Sequence, residues 1–161
     1  EDTMENALVS GIASQKNQVK FTLHGVGDIP GTAFKILGPI SDAEIEVDVI
    51  VQNVSVDGKT DFTFTVSSED QETVIRVLES IKKEVDYREL IVDSNIAKVS
   101  LVGVGMRSQA GVASKAFKAL SENNVNIQII CTSEIKITMV IDEQLIDKAV
   151  SVLHKEFELE K

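Results

Sequence analysis

Apolar and polar residues alternate in two stretches of the chain that resemble each other. In residues 19–27, the apolar side chains Val19, Phe21 and Leu23 are separated by polar ones, and residues 97–105 repeat this alternation. Both stretches end in Gly-Val-Gly. An apolar residue at every second position is typical of a strand with one buried face. The sequence therefore predicts two copies of one module, each of which begins with a strand.

Helical spacing follows each Gly-Val-Gly turn. In the second copy, the segment before Asn123–Asn124 has apolar residues three and four positions apart, at Ala113, Ala116, Phe117 and Leu120. This spacing predicts a helix with one buried face, and the two asparagines predict its end. The first copy has the same pattern over residues 33–40, but Pro39 has no N–H to donate to the Lys35 carbonyl. We therefore expect the first helix to be interrupted.

Each copy continues with a pair of strands. The pairs are predicted at residues 46–55 with 61–66 and at residues 126–132 with 136–141. In the first pair the connection contains Asp57-Gly58, which is typical of a β-hairpin turn. The sequence therefore predicts two antiparallel hairpins.

A second helix ends each copy. In the first copy it is predicted to open at Ser68, with Gln71 completing a capping box. In the second copy one helical face carries Leu145, Ile146, Ala149, Val150, Leu153 and Phe157. A short strand at residues 89–93 completes the first copy. The second copy has no equivalent strand after Phe157, and the apolar residues of segment 6–13 predict that this segment supplies it.

The order strand, helix, strand, strand, helix, strand defines the fold class. It predicts an α+β protein of two ferredoxin-like βαββαβ modules, with antiparallel sheets and helices on one face. The first domain is predicted at residues 15–94. The second is predicted at residues 95–161, completed by the N-terminal strand 6–14. The first module is therefore expected to be inserted into the second.

Composition narrows the class of protein. The chain has 161 residues, of which 43% are hydrophobic, and a formal net charge of −10. That charge would repel nucleic-acid phosphates, and no apolar run is long enough for a membrane span, so neither partner is expected. The single cysteine, Cys131, cannot form an internal disulfide. We expect it to be a core residue of a cytoplasmic protein.

Patterns typical of catalytic and metal sites are missing from the sequence. The Gly-Val-Gly turns lack the third glycine of a dinucleotide fingerprint, where the chain has Pro30 and Ser108. His24 and His154 lie in different copies without a cysteine pair, which disfavours a metal site. No nucleophilic triad can be drawn, so no catalytic residue is predicted. The topology would also suit an RNA-binding domain, but only 4% of residues are aromatic and could stack on bases.

Backbone amides and carboxylates suggest the class of ligand. The starts of the first helix of each module, at residues 31–33 and 111–113, would present N–H groups to a carboxylate. We expect the strand starts and turns nearby to accept from an ammonium group through Asp28, Glu46, Asp48, Asn126, Gln128 and Glu134. Donors on one side and acceptors on the other fit a free amino acid. The same residues could equally be ordinary solvated turn and strand-end positions.

Four segments give the sequence a family resemblance. They are Asp28–Gly31, Val51–Ser55, Val125–Ile127 and Thr132–Ile137. With the tandem order of elements, they resemble the regulatory ACT-domain pair of aspartokinase, and the resemblance covers residues 6–159. That family phosphorylates the β-carboxylate of aspartate with ATP and is inhibited by lysine, threonine or both.

The resemblance implies the partners of the chain. A kinase domain would precede this segment and would bind ATP and Mg²⁺, so the chain itself is expected to need no cofactor and to have no kinase activity. The ACT domains are expected to form a homodimer. The catalytic partner would be the kinase domain or a full-length subunit, and Met4 could be the start of a separate small subunit.

The resemblance also implies which residues bind the effector. In the first module they are Asp28, Ile29, Pro30, Gly31, Thr32, Ala33, Glu46, Val47, Asp48 and Gln52, and in the second Val112, Ala113, Asn126, Ile127, Ser133 and Glu134. Glu46 stands where the second copy has Asn126, so we expect the first pocket to prefer lysine and the second threonine. Two other functions stay open, a dimerisation module without a ligand and the regulatory subunit of another amino-acid biosynthetic enzyme.

Overall fold

The computed structural model describes residues 9–27, 30–54, 57–103 and 109–157. Its strands are β1 (Gly11–Gly27), β2 (Ile50–Val54), β3 (Lys59–Ser67), β4 (Glu89–Val102), β5 (Ile127–Thr132) and β6 (Lys136–Asp142). Its α-helices are α1 (Thr32–Asp42), α2 (Gln71–Ser80), α3 (Gln109–Glu122) and α4 (Ile146–Glu156). Among these helices none is long and apolar enough to cross a membrane.

The chain divides into two compact units. The inserted unit is residues 17–94, and the split unit is formed by residues up to Lys16 and from Asn95 onward. The chain passes between the units inside β1 and again inside β4, where the sequence predicted separate strands. The predicted α+β class, with one module inserted into the other, is confirmed.

The inserted unit has an antiparallel sheet in the order β2-β3-β1-β4. Phe21 of β1 pairs with Phe64 of β3, and their rings stack with centroids 5.5 Å apart. This face of the sheet is covered by α1 and α2, because the same apolar core contains Ile36, Ile40, Val74 and Leu78. The alternation that predicted the first strand therefore reflects the two faces of the sheet. The apolar residues lie on the face covered by helices, and Thr22 and His24 lie on the opposite face.

The split unit repeats this arrangement in the order β1-β4-β6-β5. Its core is contributed by β4, β6, α3 and α4, and includes Val99, Leu101, Val112, Ala116, Leu120, Met139, Ala149 and Leu153. Val9 is buried in the same core, Ile12 packs against it, and the Ser10 amide donates to the Val102 carbonyl at 2.7 Å. The N-terminal segment therefore does belong to the second module, although residues 6–8 lie outside the described residues.

Helix α1 is continuous, so the predicted interruption at Pro39 is wrong. Pro39 lies in the last turn of the helix, and the Ala43 amide still donates to the Pro39 carbonyl at 3.2 Å. Ile36 and Ile40 on either side are fully buried. Burial of two large aliphatic side chains, each worth about 1.5–3 kcal/mol, offsets the cost of one missing hydrogen bond.

Three further expectations are corrected, on the start of β2, the cap before α2 and the burial of Cys131. Strand β2 begins at Ile50, not at residue 46. The predicted capping box at Ser68 is wrong, because Ser67 caps a 3₁₀ turn by accepting from the Glu69 amide at 3.4 Å, and α2 begins only at Gln71. Cys131 was predicted to be a core residue, and this prediction is wrong. The residue is half-buried on β5, at the edge of the sheet.

Candidate functional site

The predicted amide donors of the inserted unit lie where β1 ends and α1 begins. Gly27 of β1 is opposite Lys59 of β3, so the turn into α1 is at the end of the sheet where β3 starts. Gly31 precedes the helix with a φ of +92°, which only glycine adopts without strain. The Thr32 hydroxyl donates to the Gly27 carbonyl at 3.1 Å. These contacts fix the direction in which the first amides of α1 point.

The predicted acidic partners lie at the opposite end of the same sheet. The Asp48 amide donates to the Thr65 carbonyl at 3.2 Å, beside the end of β3. Along β3 the distance from Lys59 to Thr65 is about 20 Å at a rise of roughly 3.3 Å per residue. The expectation that the strand start with Glu46 lies near the helix start is therefore wrong within the unit.

The connectivity of the fold explains this separation. Strands β1 and β2 are both antiparallel to β3, so they run in the same direction. A connection between parallel strands must bring the chain back along the sheet, and α1 does so before β2 begins. Gln52, by contrast, pairs with Phe62, and Phe62 also pairs with Leu23. Gln52 therefore lies in the half of the sheet nearer the turn between β1 and α1.

The other predicted residues of the first module differ in exposure. Pro30 and Gly31 are exposed, whereas Thr32 is buried. Ala33 and Val47 are half-buried and pack against the core of the inserted unit. Glu46, Asp48 and Gln52 are exposed. Asp28 and Ile29 lie outside the described residues.

The predicted residues of the second module separate in the same way. Ser133 and Glu134 are exposed at the β5–β6 turn, and the Gly103 amide donates to the Ile135 carbonyl there at 2.8 Å. Asn126 and Ile127 lie at the other end of β5, because Ile127 pairs with Ile141. Val112 is fully buried and Ala113 packs on the same core. Val112 is therefore closed to a ligand in this unit, whereas Ala113 keeps part of its surface accessible.

A cleft of about 130 Å³ adjoins the start of α1 in the inserted unit. Val26 and Val85 form apolar parts of its lining, and Gly27 and Thr32 contribute from the turn. Four charged side chains complete the lining, Lys35, Lys59, Glu84 and Asp86. Two ammonium groups and two carboxylates around a small apolar floor can hold the two charged ends of a zwitterion. Of these lining residues, the sequence had indicated only Thr32.

A hydrogen-bonded pair beside this turn was also missed. His24 Nδ1 lies 3.0 Å from Asp61 Oδ1, and the Gly25 amide donates to the same oxygen at 3.2 Å. The His24 hydrogen bond is the main reason why the pKa of Asp61 is lowered, and the Gly25 amide and the Arg88 charge act in the same direction against the effect of burial. The only sequence signal was that His24 occupies an outward position of β1.

The acidic and histidine residues in the described ranges do not converge on a metal. No group of three or more histidine, cysteine, aspartate or glutamate side chains within residues 9–27, 30–54, 57–103 and 109–157 could hold one.

Comparison with known proteins agrees with this architecture. The sequence pattern of the ACT domain matches residues 23–86 and again residues 99–157. Aspartate kinase from Stutzerimonas stutzeri is 56% identical over 99% of this chain, and aspartokinase from Helicobacter pylori is 46% identical over 99%. The chain spans 39% of the length of each of these relatives.

Solved structures cover the chain almost completely. A crystal structure of aspartokinase alpha and beta subunits contains a chain 46% identical to this one, with a TM-score of 0.86, and 93% of this chain covers 99% of it. The ligand-free regulatory subunit of aspartate kinase from Thermus thermophilus is 33% identical, with a TM-score of 0.87 and the same coverage. The chain therefore belongs to the ACT-domain family, as the regulatory ACT part of an aspartokinase.

Proposed function

We propose that this chain binds threonine, lysine or both and thereby mediates feedback inhibition of aspartate phosphorylation. The observation that carries the proposal is the cleft at the start of α1. Lys35 and Lys59 could pair with the α-carboxylate of an amino acid, and Glu84 and Asp86 with an ammonium group. The enzyme would act at the start of lysine, threonine and methionine biosynthesis, in the cytoplasm.

The separation of the predicted residues supports binding between two ACT domains. In each unit the amide donors at the helix start lie far from the strand start that carries Glu46–Asp48 or Asn126–Ile127. A pocket that uses both groups must therefore take them from different ACT domains. We infer a homodimer in which an ACT domain of a second chain adds its strand start to the effector held in the cleft.

Inhibition would follow from linkage. An effector that binds one arrangement of the ACT dimer better than another shifts the equilibrium by its difference in affinity for the two arrangements. The partner that responds would be the catalytic part of the same enzyme, as a domain or as a full-length subunit. ATP and Mg²⁺ would bind that catalytic part, and this chain would contribute no catalytic residue.

Ligand-dependent thermal unfolding tests the proposal. A ligand at one hundred times its dissociation constant stabilises by about 2.7 kcal/mol. For a chain of this length that corresponds to a rise in Tm of roughly 5–10 °C. We expect such a rise with threonine or lysine and none with methionine. No rise with any of the three would overturn the proposal and favour a dimerisation module without a ligand.

A pair of lysine substitutions locates the binding site. Lys35→Ala should raise the dissociation constant roughly tenfold, because a charge-assisted hydrogen bond to the ligand carboxylate is lost. Lys118→Ala is the matched control, because Lys118 is an exposed lysine on α3 that pairs only loosely with Glu122, at 3.9 Å. Equal affinities for the two variants would show that the effector binds outside the cleft.

A further inference from the structure

The backbone at His24 and Gly25 departs from regular strand pairing. The register of β1 against β3 shifts between Leu23 and Val26, so both His24 and Gly25 lie opposite Asp61. Gly25 has a φ of +72°, which suits a β-bulge with glycine in the left-handed region. The bulge turns the Gly25 amide toward the Asp61 carboxylate, which accepts its hydrogen bond at 3.2 Å. A side chain therefore replaces a backbone carbonyl as the partner of this amide.

Two side chains act on this carboxylate. His24 contacts it at 3.0 Å, and the positive charge of Arg88 acts on it from the segment before β4. Both lower the pKa of Asp61, so the carboxylate is ionised throughout the neutral range. His24 and Asp61 are each partly exposed, with 32% and 41% of their side-chain surface accessible. Solvent protons can therefore reach the imidazole directly.

The split unit has one equivalent backbone hydrogen bond at the end of its strand but lacks this pair. The Arg88 amide donates to the His24 carbonyl at 2.8 Å, and the Ser10 amide donates to the Val102 carbonyl at 2.7 Å in the equivalent place. Val102 pairs with Lys136, so this unit has neither an imidazole nor a carboxylate there. The Gly103 amide bonds instead to the Ile135 backbone carbonyl. Of the two units, only the inserted one thus has an imidazole–carboxylate pair at this position.

The bulge is directly connected to the start of α1. Gly27, two residues after Gly25, accepts the hydrogen bond from the Thr32 hydroxyl at 3.1 Å. Val26 and Gly27 also line the cleft. A shift of the bulge would therefore move one wall of the cleft and the first turn of the helix together.

We propose that His24 and Asp61 are positioning residues for effector binding by the inserted unit, and that protonation of His24 tightens their hold on the turn. The proposal rests on the amino-acid binding proposed above and names its regulation by pH. An imidazolium donates a stronger hydrogen bond to a carboxylate than a neutral imidazole does. Histidine changes charge between pH 5 and 8. Effector affinity of the inserted unit should thus increase as the pH falls from 8 to 6.

Binding measured against pH tests the proposal. The dissociation constant of the whole chain for threonine and for lysine is measured at pH 6.0, 7.0 and 8.0 by calorimetry in low salt. For wild type we expect it to be about two- to fivefold lower at pH 6 than at pH 8, the range that an exposed ion pair supports. His24→Asn keeps a donor that does not titrate and should flatten this profile. His24→Val introduces the residue type that the split unit has at this position, Val102. This variant should flatten the pH profile and weaken binding at every pH.

The other histidine provides the matched control. His154 lies on α4 of the split unit, and His154→Gln should leave the pH profile of wild type unchanged. A wild-type profile in His24→Asn, or its loss in His154→Gln, would overturn the proposal.

Amide exchange separates this proposal from the function on which it rests. If wild type binds neither amino acid, the proposed function fails, and exchange of the Gly25 amide at pH 6 decides the role of the pair. Faster exchange in His24→Val than in wild type, by severalfold, supports positioning of the bulge by His24. Equal exchange in the two proteins refutes it.

Discussion

Substitution of Gly25 by alanine tests the geometry of the bulge in the inserted unit. A φ of +72° costs an alanine about 1–2 kcal/mol, because its Cβ crowds the neighbouring carbonyl. The new Cβ would also lie 3.1 Å from the Cβ of Arg88 and 3.5 Å from its Cζ. The Cβ of Arg88 is attached to the backbone and cannot swing away, so crowding adds about 1–2 kcal/mol. We expect Gly25→Ala to destabilise the chain by about 2–4 kcal/mol.

Two other glycines of the same unit separate these contributions. Gly58 has a φ of +79° with nothing within 4 Å of an added Cβ, so Gly58→Ala should cost only the backbone component, about 1–2 kcal/mol. Gly27 also has open space and no positive φ, so Gly27→Ala should be neutral or stabilising by up to about 1 kcal/mol.

Thermal unfolding measures the series. With roughly 2–4 °C of Tm for each kcal/mol in a chain of this length, Gly25→Ala should lower Tm by roughly 5–15 °C. Urea titration of the same proteins gives the free energies of unfolding and shows whether the slope is unchanged. If Gly25→Ala is no less stable than Gly58→Ala, the close contact with Arg88 is wrong.

Three further predictions concern other positions. Glu44 follows α1 with a φ of +61°, which glycine adopts more easily than glutamate. Glu44→Gly should therefore raise the free energy of unfolding, measured by urea titration, by about 0.5–1 kcal/mol. Asn124→Gly, at the equivalent position after α3, should change the free energy of unfolding less, because asparagine tolerates this conformation. The pKa of Asp61 in the folded chain is below its ordinary value of 3.8. The ionised carboxylate therefore stabilises the fold above pH 3.8, and this stabilisation is lost as the pH falls through the pKa of the folded state. Wild type should thus lose more Tm between pH 5 and pH 3 than Asp61→Asn, and parallel losses would contradict this. Asp48→Asn should weaken binding of lysine more than of threonine in calorimetry, because it removes a negative charge that a cationic side chain could use; equal losses would show that Asp48 does not select the ligand.

The sequence predicted the fold because its signals are local. The alternation around Phe21 and the helical spacing around Ala116 each depend on residues within one element, and both faces pack as the patterns indicated. The repeat supported the order of the elements, because an element with a weak pattern in one copy has a clearer pattern in the other. Pro39 misled because its effect on α1 is decided by burial of Ile36 and Ile40, which is tertiary information.

The site was less predictable because it depends on strand direction and register. Glu46 and Asp48 were expected beside the helix start, and only the parallel relation of β1 and β2 shows that they lie at the other end of the sheet. The pairing of His24 with Asp61 depends on one extra residue in β1, which no periodicity reveals. The residues of the cleft come from three separate segments with no shared motif.

The two passages of the chain between the units, inside β1 and β4, affect the order of folding during synthesis. The inserted unit is one continuous segment and can fold once Ser94 has been made, whereas the split unit must pair partners as far apart as Ser10 and Val102, separated by 92 residues. Closing so long a loop is entropically costly for an unfolded chain. Folding of the inserted unit places β1 and β4 side by side and so removes part of that cost. The first module would thus act as the template on which the second one closes.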